Sequence, residues 1–226
     1  MSRKSPTART GKKRARILLV DDHPLVRERL AEIINRETDL VVNGEAEDRH
    51  EAIEAILAKP PDLAIVDLKL KNSDGLELIK DIRARWPKIR ILVVSMHDES
   101  LYAERVIRAG ALGYITKQEA TRNILLAIRR VLAGDIYLKE GIATHIISRL
   151  TAHPGSAAAT PAEQLADREL QVFELTGRGL NTSEIAEQLH IAVKTVETYR
   201  ARIREKLKLK DGSEMLQLAI SWTHGR

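Results

Sequence analysis

The sequence predicts an α/β fold, a doubly wound five-stranded parallel sheet, followed by a small all-α domain. Three observations carry this. From residue 16, short apolar runs alternate with amphipathic stretches of helical length, the pattern of βα repeats. That pattern closes near Gly134, after about 120 residues, the size of one domain. From Leu165 to Trp222 no strand pattern survives, and four short helical patterns follow one another. With 226 residues, 43% of them hydrophobic, the chain can bury two cores. One Phe, four Tyr and two Trp leave those cores to Leu, Ile, Val and Ala, which suits helices and buried parallel strands rather than an all-β sandwich.

The strands are read at ARILLV, LVVNGE, DLAIVD, RILVVS and LGYIT, and the helices between and after them at residues 24–36, 50–58, 75–86, 101–109 and 119–133. Pro24 suits the first turn of a helix, with Asp22 or His23 before it as a cap. After Leu150, TAHPGSAAATPAE lacks apolar periodicity and reads as a linker. The expected organisation is a basic tail at 1–15, a first domain at 16–134, a partly helical linker at 135–161 and a second domain at 162–226.

Charge and composition exclude several classes. The net charge is +5, but residues 1–16 alone carry seven basic groups and no acid, so the surplus lies in the tail. That tail has nothing apolar to bury and is expected to be disordered, either a solubilising extension or an arm that touches DNA non-specifically. There is no cysteine, hence no disulfide or thiolate metal site. The seven histidines, His23, His97 and His190 among them, lie apart and offer no zinc spacing. No apolar run approaches the ~20 residues of a membrane span and no signal-peptide core follows the basic start, so a cytoplasmic protein with no membrane partner is expected.

Polar groups gather at the carboxyl ends of the expected strands: Asp21 and Asp22 after the first, Asp67 after the third, Ser95 ending the fourth and Lys117 after the fifth. In open parallel sheets ligands bind at that edge. Singly, each residue reads as a cap, a strand-end acid or a solvated lysine. Together the carboxylates would repel unless a cation compensates them, and a hard divalent ion such as Mg²⁺ suits such oxygens.

ILLVDDHPLVR, DLAIVDLKLKNSDGLELI, ILVVSMH and AGALGYITK resemble the receiver domain of two-component response regulators across residues 16–134. The resemblance implies a flavodoxin-like fold in which Asp67 accepts a phosphoryl group from a sensor histidine kinase. It implies that Asp22, Asp67 and the Lys69 backbone carbonyl bind Mg²⁺ directly and that Asp21 acts mainly through water. Lys117 would neutralise charge on the transferring group. Ser95 and Tyr114 match the switch hydroxyl and switch aromatic. The family commonly has Pro after the pocket lysine, in a cis peptide; here the residue is Gln118. A haloacid-type phosphohydrolase would need D-x-D after its first strand, and a dinucleotide site would need G-x-G-x-x-G; the chain has neither.

In the C-terminal segment Ile185, Ala186 and Leu189 form one apolar helical face, and a turn at His190 and Ile191 leads to Val196, Tyr199, Ile203 and Leu207 on the next. Two short helices with a tight turn make a helix-turn-helix. Seven basic residues against Glu197 and Glu205 between Val193 and Lys210 suit phosphates. LADRELQVFELTGRGLNTSEIAEQLHIAVKTVETYRARIREKLKL is similar to the LuxR/NarL/FixJ-type output domain. That implies a recognition helix starting near Lys194, with Glu197, Thr198 and Ala201 facing base edges in promoter DNA. Lys194, Thr195, Tyr199, Arg200 and Arg202 would make backbone or supporting contacts. Ala166 and Ala192 stand where the family favours a capping Thr or Ser, with Asp167 a substitute for the first. Glu197 stands where a basic residue is frequent.

Met215, Leu218, Ala219 and Trp222 are spaced to form one face, which in that family pairs across a homodimer; Leu216 and Ile220 are expected to cover their own core. The combined resemblance implies a phosphorylation-controlled transcription factor, with RNA polymerase as a further partner. It stands against a phosphorylation-independent scaffold and a metabolic enzyme.

Overall fold

The computed structural model describes residues 14–96, 99–151 and 164–224. Most of the expected basic tail and the last part of the linker, together with His97, lie outside the described residues. The chain forms two compact units that divide between Ile147 and Ser148.

The first unit is a five-stranded parallel sheet. Its strands are β1 (Ala15–Val20), β2 (Leu40–Ala46), β3 (Leu63–Val66), β6 (Arg90–Ser95) and β7 (Gly113–Thr116), in spatial order β2-β1-β3-β6-β7. Its helices are α1 (Pro24–Asn35), α2 (Arg49–Ala58), α3 (Gly75–Arg85), α4 (Glu99–Ala109) and α5 (Lys117–Ala133). β3 is buried at every position, as a central parallel strand covered on both faces must be. Leu30 and Ile34 of α1, with Ile124, Ala127, Ile128 and Val131 of α5, close one core over Ile17, Leu19, Leu63, Ile65 and Leu92.

Local chemistry sets the helix starts. Asp48 caps α2 by accepting from the Glu51 N–H, Asp74 caps α3 at Leu76 (2.7 Å), and Thr116 caps α5 at Glu119. Pro24 opens α1 with His23 as N-cap, but the His23 side chain makes no capping bond. α5 begins two residues earlier than the spacing predicts, directly at Lys117; no peptide bond among the described residues is cis. Gly134 ends it in the left-handed region, φ 96°.

A two-residue hairpin, β4 (Lys69–Leu70) and β5 (Ser73–Asp74), was not legible in the sequence. Its strands are too short to show a period, and its turn uses Asn72 at φ 54°. Beyond α5 the chain returns to the sheet, where Tyr137 bridges Gly113 in parallel, and α6 (Glu140–Thr151) follows.

The second unit is all-helical: α7 (Asp167–Gly177), α8 (Thr182–Gln188), α9 (Val193–Lys206) and α10 (Gly212–His224). Leu170, Val172, Phe173, Ile185, Val196, Ile203, Met215 and Ala219 form its core. A β-carbon on Gly177 would stand 2.4 Å from the Ala219 carbonyl, so glycine permits the close crossing of α7 and α10.

That crossing corrects the expected dimer face. Met215 and Ala219 are 0% exposed and Trp222 packs on Phe173 at 5.5 Å between ring centroids, so this face closes the unit's own core. Leu216 and Ile220, expected to cover that core, are 39% and 38% exposed. Leu218 is half-buried. Two apolar stripes compete along α10, and the close approach to α7 decides which turns inward.

Candidate functional site

Sheet register brings the expected pocket together. Val20 pairs with Val66 and Val66 with Val93, so Asp21 and Asp67 leave their strands at one level. Ser95 pairs with Thr116, which places Lys117 beside them. Asp21, Asp67 and Ser95 are buried. The Lys117 ammonium lies 2.7 Å from Asp21 Oδ2 and 2.6 Å from Asp67 Oδ2, and Ser95 Oγ donates to Asp67 Oδ1 at 2.6 Å.

Asp21 is held further by the His23 backbone N–H at 2.9 Å, while Arg27 donates to its carbonyl at 2.5 Å. Burial, and then the charge of Asp67, push the Asp21 carboxyl above its ordinary pKa; Lys117 and the His23 amide only partly offset this. Burial works to lower the Lys117 pKa, but its two carboxylates outweigh it and hold the ammonium above its usual value. One lysine thus faces an excess of carboxylate.

Asp22 Oδ1 is buried without a hydrogen-bond partner; His23 Nδ1 stands 2.5 Å away without the alignment of a hydrogen bond. Asp21, Asp22, His23 and Asp67 each offer a ligand atom within 4.8 Å of one another. An orphaned carboxylate oxygen among oxygen donors fits a hard cation such as Mg²⁺. In sequence His23 reads only as a cap; its Nδ1 is a donor that spacing does not reveal. Lys69 lies in β4, paired with Asp74. Tyr114 is wholly buried in β7, and its N–H donates to the Tyr137 carbonyl at 2.9 Å.

In the second unit α8, a turn through His190 at φ 52° and α9 form the helix-turn-helix. Val196 and Ile203 face the core, while Lys194, Glu197, Thr198, Ala201 and Arg202 are exposed along the opposite side of α9. Thr195, Tyr199 and Arg200 are half-buried, and Arg200 donates to Thr182 Oγ1 at 2.8 Å, tying α9 to α8. Lys206, one of the basic residues suited by sequence to phosphate, instead pairs at 2.6 Å with Glu169, a carboxylate 3% exposed. Ala166 and Ala192 are the N-caps of α7 and α9 and make no side-chain capping bond. At α7 the Glu169 side chain accepts from the Ala166 N–H at 2.8 Å.

The chain matches the response regulator receiver domain over residues 17–129 and the luxR family of bacterial regulatory proteins over residues 163–219. It belongs to the LuxR/NarL-type two-component response regulators. The transcriptional activator protein ExaE of Pseudomonas putida is 36% identical over 90% of this chain and 95% of its own. The oxygen regulatory protein NreC of Staphylococcus haemolyticus is 33% identical over 91% and 96%. RcsB from Salmonella enterica serovar Typhimurium, solved on promoter DNA with a phosphomimetic, superposes with a TM-score of 0.63 over 92% of this chain and 100% of its own. At 23% identity that likeness speaks for the fold. The receiver sheet followed by a helical LuxR-type domain is therefore the architecture of a transcriptional regulator. Among the described residues no helix is long and apolar enough to cross a membrane.

Proposed function

We propose that this response regulator takes a phosphoryl group on Asp67 from a phosphohistidine of a sensor histidine kinase and thereby controls its binding to promoter DNA. The observation that carries the reading is the treatment of Asp67: a buried carboxylate with one oxygen held by Ser95 and the other by Lys117, beside two further aspartates.

An Asp67 oxygen attacks phosphorus, the P–N bond breaks with its electrons passing to the departing imidazole, and an acyl phosphate forms. Lys117 balances charge on the phosphoryl oxygens. Mg²⁺ held by Asp22, Asp67 and the Lys69 carbonyl, with Asp21 acting through water, would supply further charge neutralisation. Ser95 exchanges its bond to Asp67 for one to a phosphoryl oxygen, and buried Tyr114 adjusts with it. Attack by water returns the carboxylate and releases phosphate.

The DNA-reading surface is the exposed side of α9, with Glu197, Thr198 and Ala201 toward bases and Lys194 and Arg202 toward phosphates. Thr195, Tyr199 and Arg200 support that helix. The uncapped amides at its start suit a phosphate oxygen. Two half-sites read by a homodimer would supply the specificity that one small domain lacks. RcsB has been solved as dimers on DNA, which supports this assembly. Action in the cytoplasm, with RNA polymerase as a later partner, follows from the same reading.

The test is incubation with acetyl phosphate and Mg²⁺, followed by intact mass and hydroxylamine sensitivity. One hydroxylamine-labile phosphoryl group, absent from Asp67→Asn, is expected. An unmodified wild-type chain, or undiminished adduct in Asp67→Asn, overturns the assignment.

A further inference from the structure

The chain leaving α5 does not run directly into the second unit. Tyr137 lies back against β7: its N–H donates to the Leu112 carbonyl at 2.9 Å, and its carbonyl accepts from the Tyr114 N–H at 2.9 Å. This close approach depends on Gly113, where a β-carbon would stand 3.0 Å from the Tyr137 carbonyl oxygen. Two residues on, Glu99 of α4, 5% exposed, accepts from the Lys139 N–H at 3.0 Å. Lys139 is where α6 starts, its carbonyl receiving the Ile142 N–H. Burial, and then the charges of Glu119 and Glu99, raise the Tyr137 hydroxyl pKa, with Arg130 opposing them.

The two segments that fasten this strap also carry the two partners of Asp67. Ser95 ends β6 four residues before Glu99. Lys117 follows β7, the strand on which Tyr137 lies. Each Asp67 oxygen is already engaged, so a group added to either must displace Ser95 or Lys117.

We propose that the Glu99 carboxylate and the Tyr137 bridge form a latch that fixes the start of α6 to the receiver, and that phosphorylation of Asp67 opens it. The inference rests on the acyl phosphate proposed above. Movement of Ser95 toward the phosphoryl group draws the start of α4 with it, Glu99 releases the Lys139 amide, and the start of α6 gains freedom. Glu99 is a positioning residue: it lies outside the Asp67 contacts and acts through the backbone of α6.

Hydrogen–deuterium exchange of the full-length protein, with and without acetyl phosphate and Mg²⁺ and with intact mass read in parallel, tests this. Phosphorylation should speed exchange of the Lys139 amide by about tenfold, the value of one hydrogen bond to a charged acceptor, and should also speed exchange of the Tyr137 amide, which donates to the Leu112 carbonyl. Glu99→Ala should reach the same exchange without phosphodonor while forming acyl phosphate as the parent does. Glu99→Gln, which keeps an acceptor oxygen, should restore most of the protection. If the chain gains its phosphoryl group and these amides exchange no faster, the latch is wrong and the phosphoacceptor assignment stands. If Glu99→Ala leaves them protected, Glu99 does not hold α6. If no phosphoryl group appears, it is the assignment of Asp67, and with it the trigger, that fails.

Discussion

Gly75 lies so close to Asp67 that a β-carbon on it would stand 1.9 Å from the Asp67 carbonyl oxygen. Its N–H also donates to the Leu68 carbonyl at 3.0 Å, so the first turn of α3 is fitted against the backbone that presents Asp67. The obstructing atoms are backbone and cannot rotate away. Gly75→Ala should therefore cost about 2 kcal/mol of receiver stability and displace Asp67 from Ser95 and Lys117. Denaturant unfolding reads the first effect, and a slower rate of acyl phosphate formation the second. An alanine variant with parental stability and rate would show that the contact relaxes freely.

Asp21 and Lys117 should respond to neutralisation with opposite sign. The Asp21 carboxyl titrates above its ordinary value in the fold, so its contribution to stability is present below the unfolded pKa and is lost as pH rises through the folded one. At neutral pH the charged group is a cost. Asp21→Asn should raise the melting temperature at pH 7 without Mg²⁺, and the gain should vanish in acid, where both forms are neutral. Lys117 titrates above its ordinary value, so its stabilisation is complete at pH 7 and lost only in alkali. Lys117→Ala should lower the melting temperature at pH 7, and adding Asp21→Asn should recover part of it. Melting temperatures of the four proteins between pH 3 and 9 decide; a destabilised Asp21→Asn at pH 7 would contradict the sign.

The pocket was legible because parallel sheets have a simple geometry. A polar residue directly after a buried apolar run lies at the carboxyl edge, and the pairing of Val20 with Val66 makes neighbours of Asp21 and Asp67. What stayed hidden depended on tertiary choice. The stripe of Met215, Ala219 and Trp222 and that of Leu216 and Ile220 both have helical spacing, and the crossing at Gly177 selects the first for the core. Glu99 and Tyr137 had no signal of their own, because one buried carboxylate and one bridge leave no period to read. Lys206 resembles its basic neighbours in sequence, and only the fold places Glu169 beneath it.

That difference separates two kinds of basic residue on α9. Lys194 and Arg202 are exposed, and removing both should weaken DNA binding across all sequences and flatten its salt dependence by roughly 0.9 for each phosphate no longer neutralised. Lys206→Ala should instead leave Glu169 without its cation and destabilise the DNA-binding domain by about 1 to 2 kcal/mol, less than a fully buried pair because Lys206 is itself half-exposed. Salt titrations of operator binding beside thermal melts separate the effects. An unchanged slope for the Lys194→Ala, Arg202→Ala protein would exclude both residues as phosphate partners.

The same reasoning divides α10. With Met215 and Ala219 spent on the core, Leu216 and Ile220 are the large apolar groups it presents outward, one turn apart on one side. If the homodimer proposed above uses this helix, those two residues carry the interface. Leu216→Glu with Ile220→Glu should leave the domain folded, because exposed positions accept a carboxylate at little cost, yet abolish the dimer and reduce operator affinity at least tenfold. Met215→Ala should do the reverse, costing about 2 to 4 kcal/mol through the cavity it leaves while sparing the dimer of whatever protein remains folded. Melting temperature, mass by light scattering and operator binding, measured on the parent and both variants after phosphorylation, distinguish the outcomes. A dimer that survives the double Glu substitution and disappears in Met215→Ala would return the interface to the stripe of Met215, Leu218, Ala219 and Trp222.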